Sequence, residues 1–361
     1  MGKYDLNNIV PFEAIPVGEI LLDEIKARGI KQKELAKKMQ MSASVLNEIL
    51  SNKRRLNAEY AYAFEVALGI PASELLGLQA DYELNLIKIR ERDIKSKEAD
   101  VTLSEYDKYF DIKTFIKKFD LGNLWPTEIV AFLRDILGLP APTHIQPNFS
   151  GHFKKSEMVG VDERMINTWT VLANYEASRF NIAGEFDKSL KDEVVAKIVE
   201  VLHTNKNTMC SVKDILSGYG IGFGHVEKID GASIDGYSTH INGKPCIVVT
   251  KRFDRIDNLA FTVMHELGHI YLHDADSRIS IIGYSSDSKE EKEANAFACE
   301  KLIPKKVWNK IPEVEINPYL IQKVYTKWAE ENNLNKWIVL GRISHDTGMY
   351  MFRKDSSRSI S

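Results

Sequence analysis

Apolar positions in the first ninety residues recur at spacings of three and four, which predicts a series of short amphipathic helices. They cover roughly Gly18 to Ala27, Gln32 to Met39, Ala43 to Leu50 and Ala58 to Leu68. A fifth begins after Pro71, where proline suits a first helical turn. The highly charged stretch from Lys88 to Val101 reads as a solvated helix or linker, and helical pattern resumes to about Leu137. From Gly138 to Ser156 Pro, Gly, Ser and Asn concentrate without periodicity, marking a loop or boundary. A further helical block runs from Asp162 to Thr204. From Ile221 the texture changes to short β-branched and aromatic runs, with Asn242-Gly243 between two of them as a hairpin signal. Helices return from Asp257 to about Asp346, and the polar end of the chain is expected to be disordered.

These patterns predict an α+β fold, mainly α. Residues 1–90 form a five-helix bundle of helix-turn-helix type, 91–205 a helical connector, 206–350 a domain with a small antiparallel sheet, and 351–361 a loose tail. With 361 residues and 44% hydrophobic content, the chain is long enough for several cores. No apolar run is long enough to span a bilayer and the N-terminus lacks the order of a signal peptide, so a cytoplasmic protein without membrane partners is expected. Three widely spaced cysteines exclude a disulfide framework or cysteine cluster and are expected to be buried packing residues.

Formal net charge is −3, which argues against indiscriminate coating of nucleic acid. Nine basic residues against two acidic ones nevertheless lie between Lys26 and Leu56. In that segment Leu35, Ala36, Met41, Leu46 and Ile49 fall where a helix-turn-helix buries its contacts, with Ala36 small at the helix crossing. Ser42 can cap the second helix, leaving Ala43, Ser44, Asn47, Glu48 and Ser51 outward to meet base edges in a major groove. Gln32, Lys53, Arg54 and Arg55 are placed to hold phosphates. Gln40 stands where the turn often carries glycine, at some strain if its φ is positive.

Chemistry concentrates in "FTVMHELGHIYLH" (Phe261 to His273). His265 and His269, four apart on a helix, project from one face about one turn apart and can bind a single zinc ion. Glu266 beside them suits a general base. The apolar side of the same helix is Leu259, Met264, Leu267, Ile270 and Tyr271, and Asp257 is positioned to cap its start. A two-histidine site needs a third protein ligand. The metzincin pattern is excluded, because Leu272 and Ala275 stand where glycine and histidine would be required. A glutamate on a following helix remains: Glu291 shares its face with Ala294, Asn295 and Ala298, the small residues expected at a close helix contact, while Glu293 is the alternative. Asn295 is expected to orient a ligand histidine. His273 reads as a helix-end residue, and His240 as a group that could polarise a substrate carbonyl.

"FTVMHELGHIYLH", "EANAFACEKLIP", "DGYSTHINGKPCIVV" and "KWIVLGRISHDTG" together resemble the ImmA/IrrE-like metallopeptidases, over roughly Ser211 to Tyr350. The resemblance implies a zincin-like endopeptidase domain with His265, Glu266, His269 and Glu291 in the functional positions, and proteolysis in the service of gene control. "IPVGEILLDEIKARGIKQKELAKKM" and "LLGLQADYEL" resemble the Xre-type antitoxin-repressors of the HigA group. That resemblance implies a homodimer on a palindromic operator in double-stranded DNA, often beside a partner toxin. The combined expectation is a transcriptional regulator carrying a zinc-dependent peptidase of gluzincin type. The competing expectation is a repressor or antitoxin whose zincin-like domain senses or binds a toxin without turnover.

Overall fold

The computed structural model describes residues 10–145, 162–250, 254–273, 278–281, 288–314, 318–349 and 352–360. The chain divides into two compact units, residues 1–102 with 125–127, and residues 103–124 with 128–361.

In the first unit, α1 (Val17–Ala27), α2 (Gln32–Lys38), α3 (Ala43–Leu50) and α4 (Ala58–Leu68) surround a core of Val17, Leu21, Ile25, Leu35, Ala36, Leu46, Ile49 and Phe64. Their ends follow local chemistry. The Ser42 hydroxyl accepts from Val45 N to start α3, Asn57 does the same for Tyr60 N at α4, and Gly69 closes α4 at φ 75°. Gly18 lets α1 approach the end of α3, since a Cβ there would lie 2.5 Å from the Ile49 carbonyl oxygen. Gln40 has φ 53°, so the turn between α2 and α3 is left-handed at a residue with a Cβ. The fifth helix, α5 (Ala72–Tyr106), extends well past residue 90, and the charged stretch from Lys88 to Val101 is helical throughout.

The second unit holds α6 (Ile112–Lys118), α7 (Pro126–Asp135), α8 (Glu163–Ser178), α9 (Lys191–Thr204) and α10 (Thr208–Gly218). The sheet strands β1 (Gly222–Val226), β2 (Ile234–Ile241) and β3 (Lys244–Thr250) follow. Then come α11 (Ile256–Leu272), β4 (Arg278–Ile281), α12 (Lys289–Leu302), α13 (Lys305–Trp308), α14 (Pro318–Glu331) and α15 (Lys336–Thr347). The β2/β3 hairpin turns at Asn242 and Gly243, both at positive φ as a two-residue turn of the right twist requires. The strand order is β1-β3-β2-β4, and β1 pairs with β3 in parallel, so the sheet is mixed where an antiparallel one was expected. Hairpin signals report only neighbouring strands; the crossover that brings β1 alongside β3 has no local signature.

Two cores flank this sheet. Trp169 of α8 packs edge-on against Tyr237 with Phe110, Phe115 and Val248, while α9 and α10 supply Ile198, Leu202 and Val212 to a core shared with α11 and α15. The helices expected as a connector over 91–205 are therefore not a separate domain. Most of them are walls of the second unit, and the division falls inside α5 near residue 102 instead of at 90 and 205. The described part of the expected boundary loop forms a short 3-10 turn at Pro142–His144; the rest lies outside the described residues. Of the cysteines only Cys246 is buried, and Cys210 is exposed. His203 braces three helices: Nδ1 accepts from Asn335 N at 2.9 Å and Nε2 donates to the Leu302 carbonyl at 2.9 Å.

Residues 352–360 also depart from expectation. They are packed, with a 3-10 turn at Ser356–Arg358 and Arg358 buried. The Arg358 guanidinium reaches the Asp257 carboxylate at 2.9 Å, and Arg255 reaches it at 2.7 Å. Asp257 thus serves as a buried anchor for the chain end rather than as the helix cap. The tail is short and polar, which hides this from composition; its contacts with α11, Asn205, Gln322, Lys336 and Trp337 order it.

Two outcomes follow. Replacing Gln40 with glycine relieves the left-handed strain and should stabilise the protein by about 0.5–1 kcal/mol in thermal or denaturant melts. Arg358→Ala should cost about 2 kcal/mol, because Asp257 remains buried with only Arg255 as counter-ion. Burial opposes ionisation of Asp257, but hydrogen bonds and charges from Arg358 and Arg255 outweigh it and hold the carboxyl below the usual carboxylate range. The stability it contributes is complete above the unfolded value near 4 and disappears as pH falls through the lower folded value. The gap between wild type and Arg358→Ala in denaturant titrations should therefore close on acidification.

Candidate metal centre

Helix α11 runs through the core, and only its Phe261 and Leu272 are well exposed among the large apolar side chains. His265 and His269 lie on one face, with imidazole centroids 4.6 Å apart. Helix α12 is capped by Ser288, whose hydroxyl accepts from Glu291 N, and the face of α12 that carries Glu291 is the one packed on α11. Gly268 and Ala294 let the two helices meet: a Cβ at Gly268 would lie 3.1 Å from Ala294 Cα. Ala294 and Ala298 are completely buried at this contact.

Three donor atoms converge as a result. His265 Nε2 and His269 Nε2 are 3.0 Å apart, His265 Nε2 is 3.3 Å from Glu291 Oε2, and His269 Nε2 is 3.1 Å from Glu291 Oε1. Ligands at about 2.0–2.1 Å from a tetrahedral zinc stand roughly 3.3–3.4 Å from one another. The three separations match that edge to within a few tenths of an ångström, so the residues fit a zinc ion with one position left open. Among the described residues this is the one group of three such side chains able to hold a metal. The sequence-level alternative, Glu293, is half-exposed and turns instead toward Lys289 and His273, at 3.6 and 3.7 Å.

The tautomers suit the same chemistry. Asn295 Oδ1 lies 2.9 Å from His265 Nδ1 and, as an acceptor, keeps a proton on that nitrogen; the neutral ring then offers its Nε2 lone pair to an ion, and the protonated ring donates Nε2–H to Glu291. His269 Nδ1 is buried with no hydrogen-bond partner among the described residues, so only one of the two imidazoles is oriented by the protein. Burial alone would lower the pKa of His265, yet the Glu291 hydrogen bond, the Glu266 and Glu291 charges and Asn295 raise it. Glu291 shows the mirror effect: burial opposes its charge, but hydrogen bonds from His265 and His269 hold it far below the usual carboxylate range. The field at this spot favours a cation.

Glu266 is completely buried. Strand β2 passes over it at Gly236, where a Cβ would lie 2.5 Å from Glu266 Oε1 and 2.6 Å from Thr262 Cγ2. Pattern reading assigns Gly236 no role; the signal that marks it is a glycine inside a β-run, a sign of close backbone approach. Phe261, one turn before His265, sets its ring 6.0 Å from that imidazole. His240 lies at the far end of β2, where burial first and the Lys188 charge second lower its pKa, and it does not join the three-residue group. His273 caps the end of α11 and contacts the Glu290 carbonyl at 3.1 Å.

In the first unit Gln32, Ser42, Ser44, Asn47, Ser51, Lys53 and Arg54 are all exposed on or beside α2 and α3. They are not equally available. Ser42 is occupied as the α3 cap, and Arg54 is held by Glu48 at 2.7 Å and by the Tyr60 hydroxyl at 3.4 Å. Gln32, Asn47 and Lys53 have no intrachain partner among the described residues. Glu48, which accepts from Ser44 as well, places a negative charge within the basic segment.

Family models match both regions. Residues 21–75 match a model described as Helix-turn-helix, and residues 225–333 match an M78 peptidase model described as IrrE N-terminal-like domain. Among curated proteins no significant match to the chain is found. The second match contains the whole His265, Glu266, His269 and Glu291 cluster, and the first contains all seven exposed residues named above. The chain therefore joins a DNA-binding helix-turn-helix domain to an IrrE-like, metallopeptidase-type domain in one polypeptide.

Proposed function

We propose that the protein is a cytoplasmic, operator-binding regulator whose second unit is a zinc-dependent endopeptidase of gluzincin type, cutting a peptide bond in a regulatory protein. The observation that carries this reading is the convergence of His265 Nε2, His269 Nε2 and the Glu291 carboxylate at tetrahedral-edge distances beside Glu266. His265, His269 and Glu291 would hold the ion. When bound, zinc acidifies water toward a pKa of about 7 and polarises a scissile carbonyl. Glu266 takes the proton of the attacking water on its carboxylate and delivers it to the leaving amine nitrogen. Asn295 holds the His265 Nδ1 proton and so keeps the Nε2 lone pair available. Phe261 borders the site with an exposed apolar face. At the other unit, Asn47 is the candidate for base contact, with Gln32 and Lys53 on phosphates.

One observation favours a second reading. Glu266 is completely buried and both histidines are nearly so, as in a site closed to substrate. In that reading the zincin-like domain is a sensor or toxin-binding module and the chain a non-proteolytic repressor or antitoxin. Absence of an apolar membrane-crossing helix among the described residues is compatible with either.

Metal analysis of the purified chain should find about one zinc per chain, lost in both His265→Ala and Glu291→Ala; a folded, metal-free wild type would refute the site. Glu266→Gln should keep zinc and lose cleavage, with kcat reduced by at least roughly 100-fold. Unchanged regulatory output in that variant would favour the module without turnover. On duplex DNA selected by the wild-type chain, Asn47→Ala should cost about 1–3 kcal/mol and relax specificity at one position. Lys53→Ala should instead weaken all sequences alike and lower the salt slope by about 1.

A further inference from the structure

Four rings stack along one face of α11 at intervals of four residues. They are Phe261, His265, His269 and His273, with neighbouring centroids 6.0, 4.6 and 5.4 Å apart. Their surroundings differ. His273 is met by α12, with the Glu290 carbonyl 3.1 Å from Nε2 and Glu293 3.7 Å from Nδ1. His269 and His265 meet Glu291 and Asn295 of the same helix. From the other side β2 lies against Glu266 at Gly236. Among the four rings only Phe261 emerges: it is 38% exposed, against 5% for His265 and 3% for His269. Leu272, the other well exposed large apolar side chain of the helix, stands one turn past Gly268, where α12 closes on α11.

We propose that Phe261 is the specificity-determining wall of the cleavage site, and that the peptide taken there carries a large apolar side chain, aromatic or aliphatic, on the residue next to the scissile bond. The inference rests on the zinc-endopeptidase reading and names its substrate class. With α12 over the His273 end and β2 over Glu266, the approach left to the donor atoms runs past Phe261. Phe261 precedes His265 by one helical turn, a rise of about 5.4 Å. That is about the reach of a phenylalanine or leucine side chain from its own carbonyl, so a carbonyl held at the donor atoms brings such a side chain onto the Phe261 ring.

Charge selects the same occupant. The carboxylates of Glu266 and Glu291 balance a divalent ion on the donor atoms, so this group has no net charge with which to prefer an acidic or a basic side chain. What Phe261 offers is removal of apolar surface from water on both partners. Such a wall discriminates to a limited degree, roughly 10–200-fold for each methylene that it covers. A ring that only packed against the His265 imidazole would act differently. It would change ion binding, and with it the binding of every ligand alike, whereas a wall changes only the ranking of ligands by side chain.

The test reads binding as well as turnover, which separates its failure from failure of the endopeptidase reading. The full chain, loaded with zinc, is titrated calorimetrically with N-blocked amino acid hydroxamates bearing the side chains of Phe, Leu, Gly, Asp and Lys. The Phe and Leu compounds should bind at least about tenfold tighter than the Gly compound. Phe261→Ala should bring that ratio close to one with zinc still bound, Phe261→Leu should keep most of it, and Phe261→Lys should turn the preference toward the Asp compound. Absence of binding, equal binding of all five, a ratio that survives Phe261→Ala, or loss of zinc in that variant overturns the proposal. A preference that Phe261→Ala abolishes, in a chain that cuts no peptide, supports the wall and removes the endopeptidase reading. Cleavage of peptides whatever the neighbouring side chain does the reverse.

Discussion

The candidate centre depends on one close contact, that of α11 with α12 at Gly268 and Ala294. Zinc-sized geometry needs the Glu291 carboxylate within about 3.3 Å of two imidazoles. A glutamate side chain is short, so its helix backbone has to come very near. A side chain at Gly268 would push against the Ala294 backbone and the Phe297 ring, and the carboxylate would withdraw with the helix. The same economy recurs on the other side of α11, where Gly236 lets β2 lie directly over Glu266. Two glycines set the distances at which His265, His269, Glu291 and Glu266 meet.

Around that contact several buried polar groups of the second unit have identifiable partners. Asn295 fixes a tautomer, His203 ties α9 to the ends of α12 and α15, and Asp257 accepts two guanidinium groups at the start of α11. The last of these anchors the end of the chain to the helix that carries the histidines. Removing one partner from a buried ion pair exposes the other to the full cost of desolvation, so the short 3-10 segment Ser356–Arg358 matters more than its length suggests.

The first unit solves a different problem. Its core is small, and the outward side of α2 and α3 is nearly all polar, with exposed side chains whose geometry the backbone sets through caps and the left-handed residues Gln40 and Asn52. Glu48 moderates that surface by engaging Arg54 and Ser44, leaving Asn47 and Lys53 as the groups with least internal commitment.

Much of this was legible in the chain alone because it is local. Helical spacing of His265 and His269, the face shared by Glu291, Ala294 and Ala298, the hairpin at Asn242-Gly243 and the cap at Ser42 all follow from interactions a few residues apart, and the structure bears out each of these placements. What spacing left open was settled by tertiary contacts. Glu291 and Glu293 point to different sides of α12, and the packing of α12 on α11 decides which side meets the histidines. Parallel pairing of β1, incorporation of α8 and α9 into the second unit's cores, the role of Gly236 and the burial of Arg358 all join residues far apart in sequence. No local pattern encodes such pairings, because their energy comes from surfaces that exist only once the chain has closed on itself.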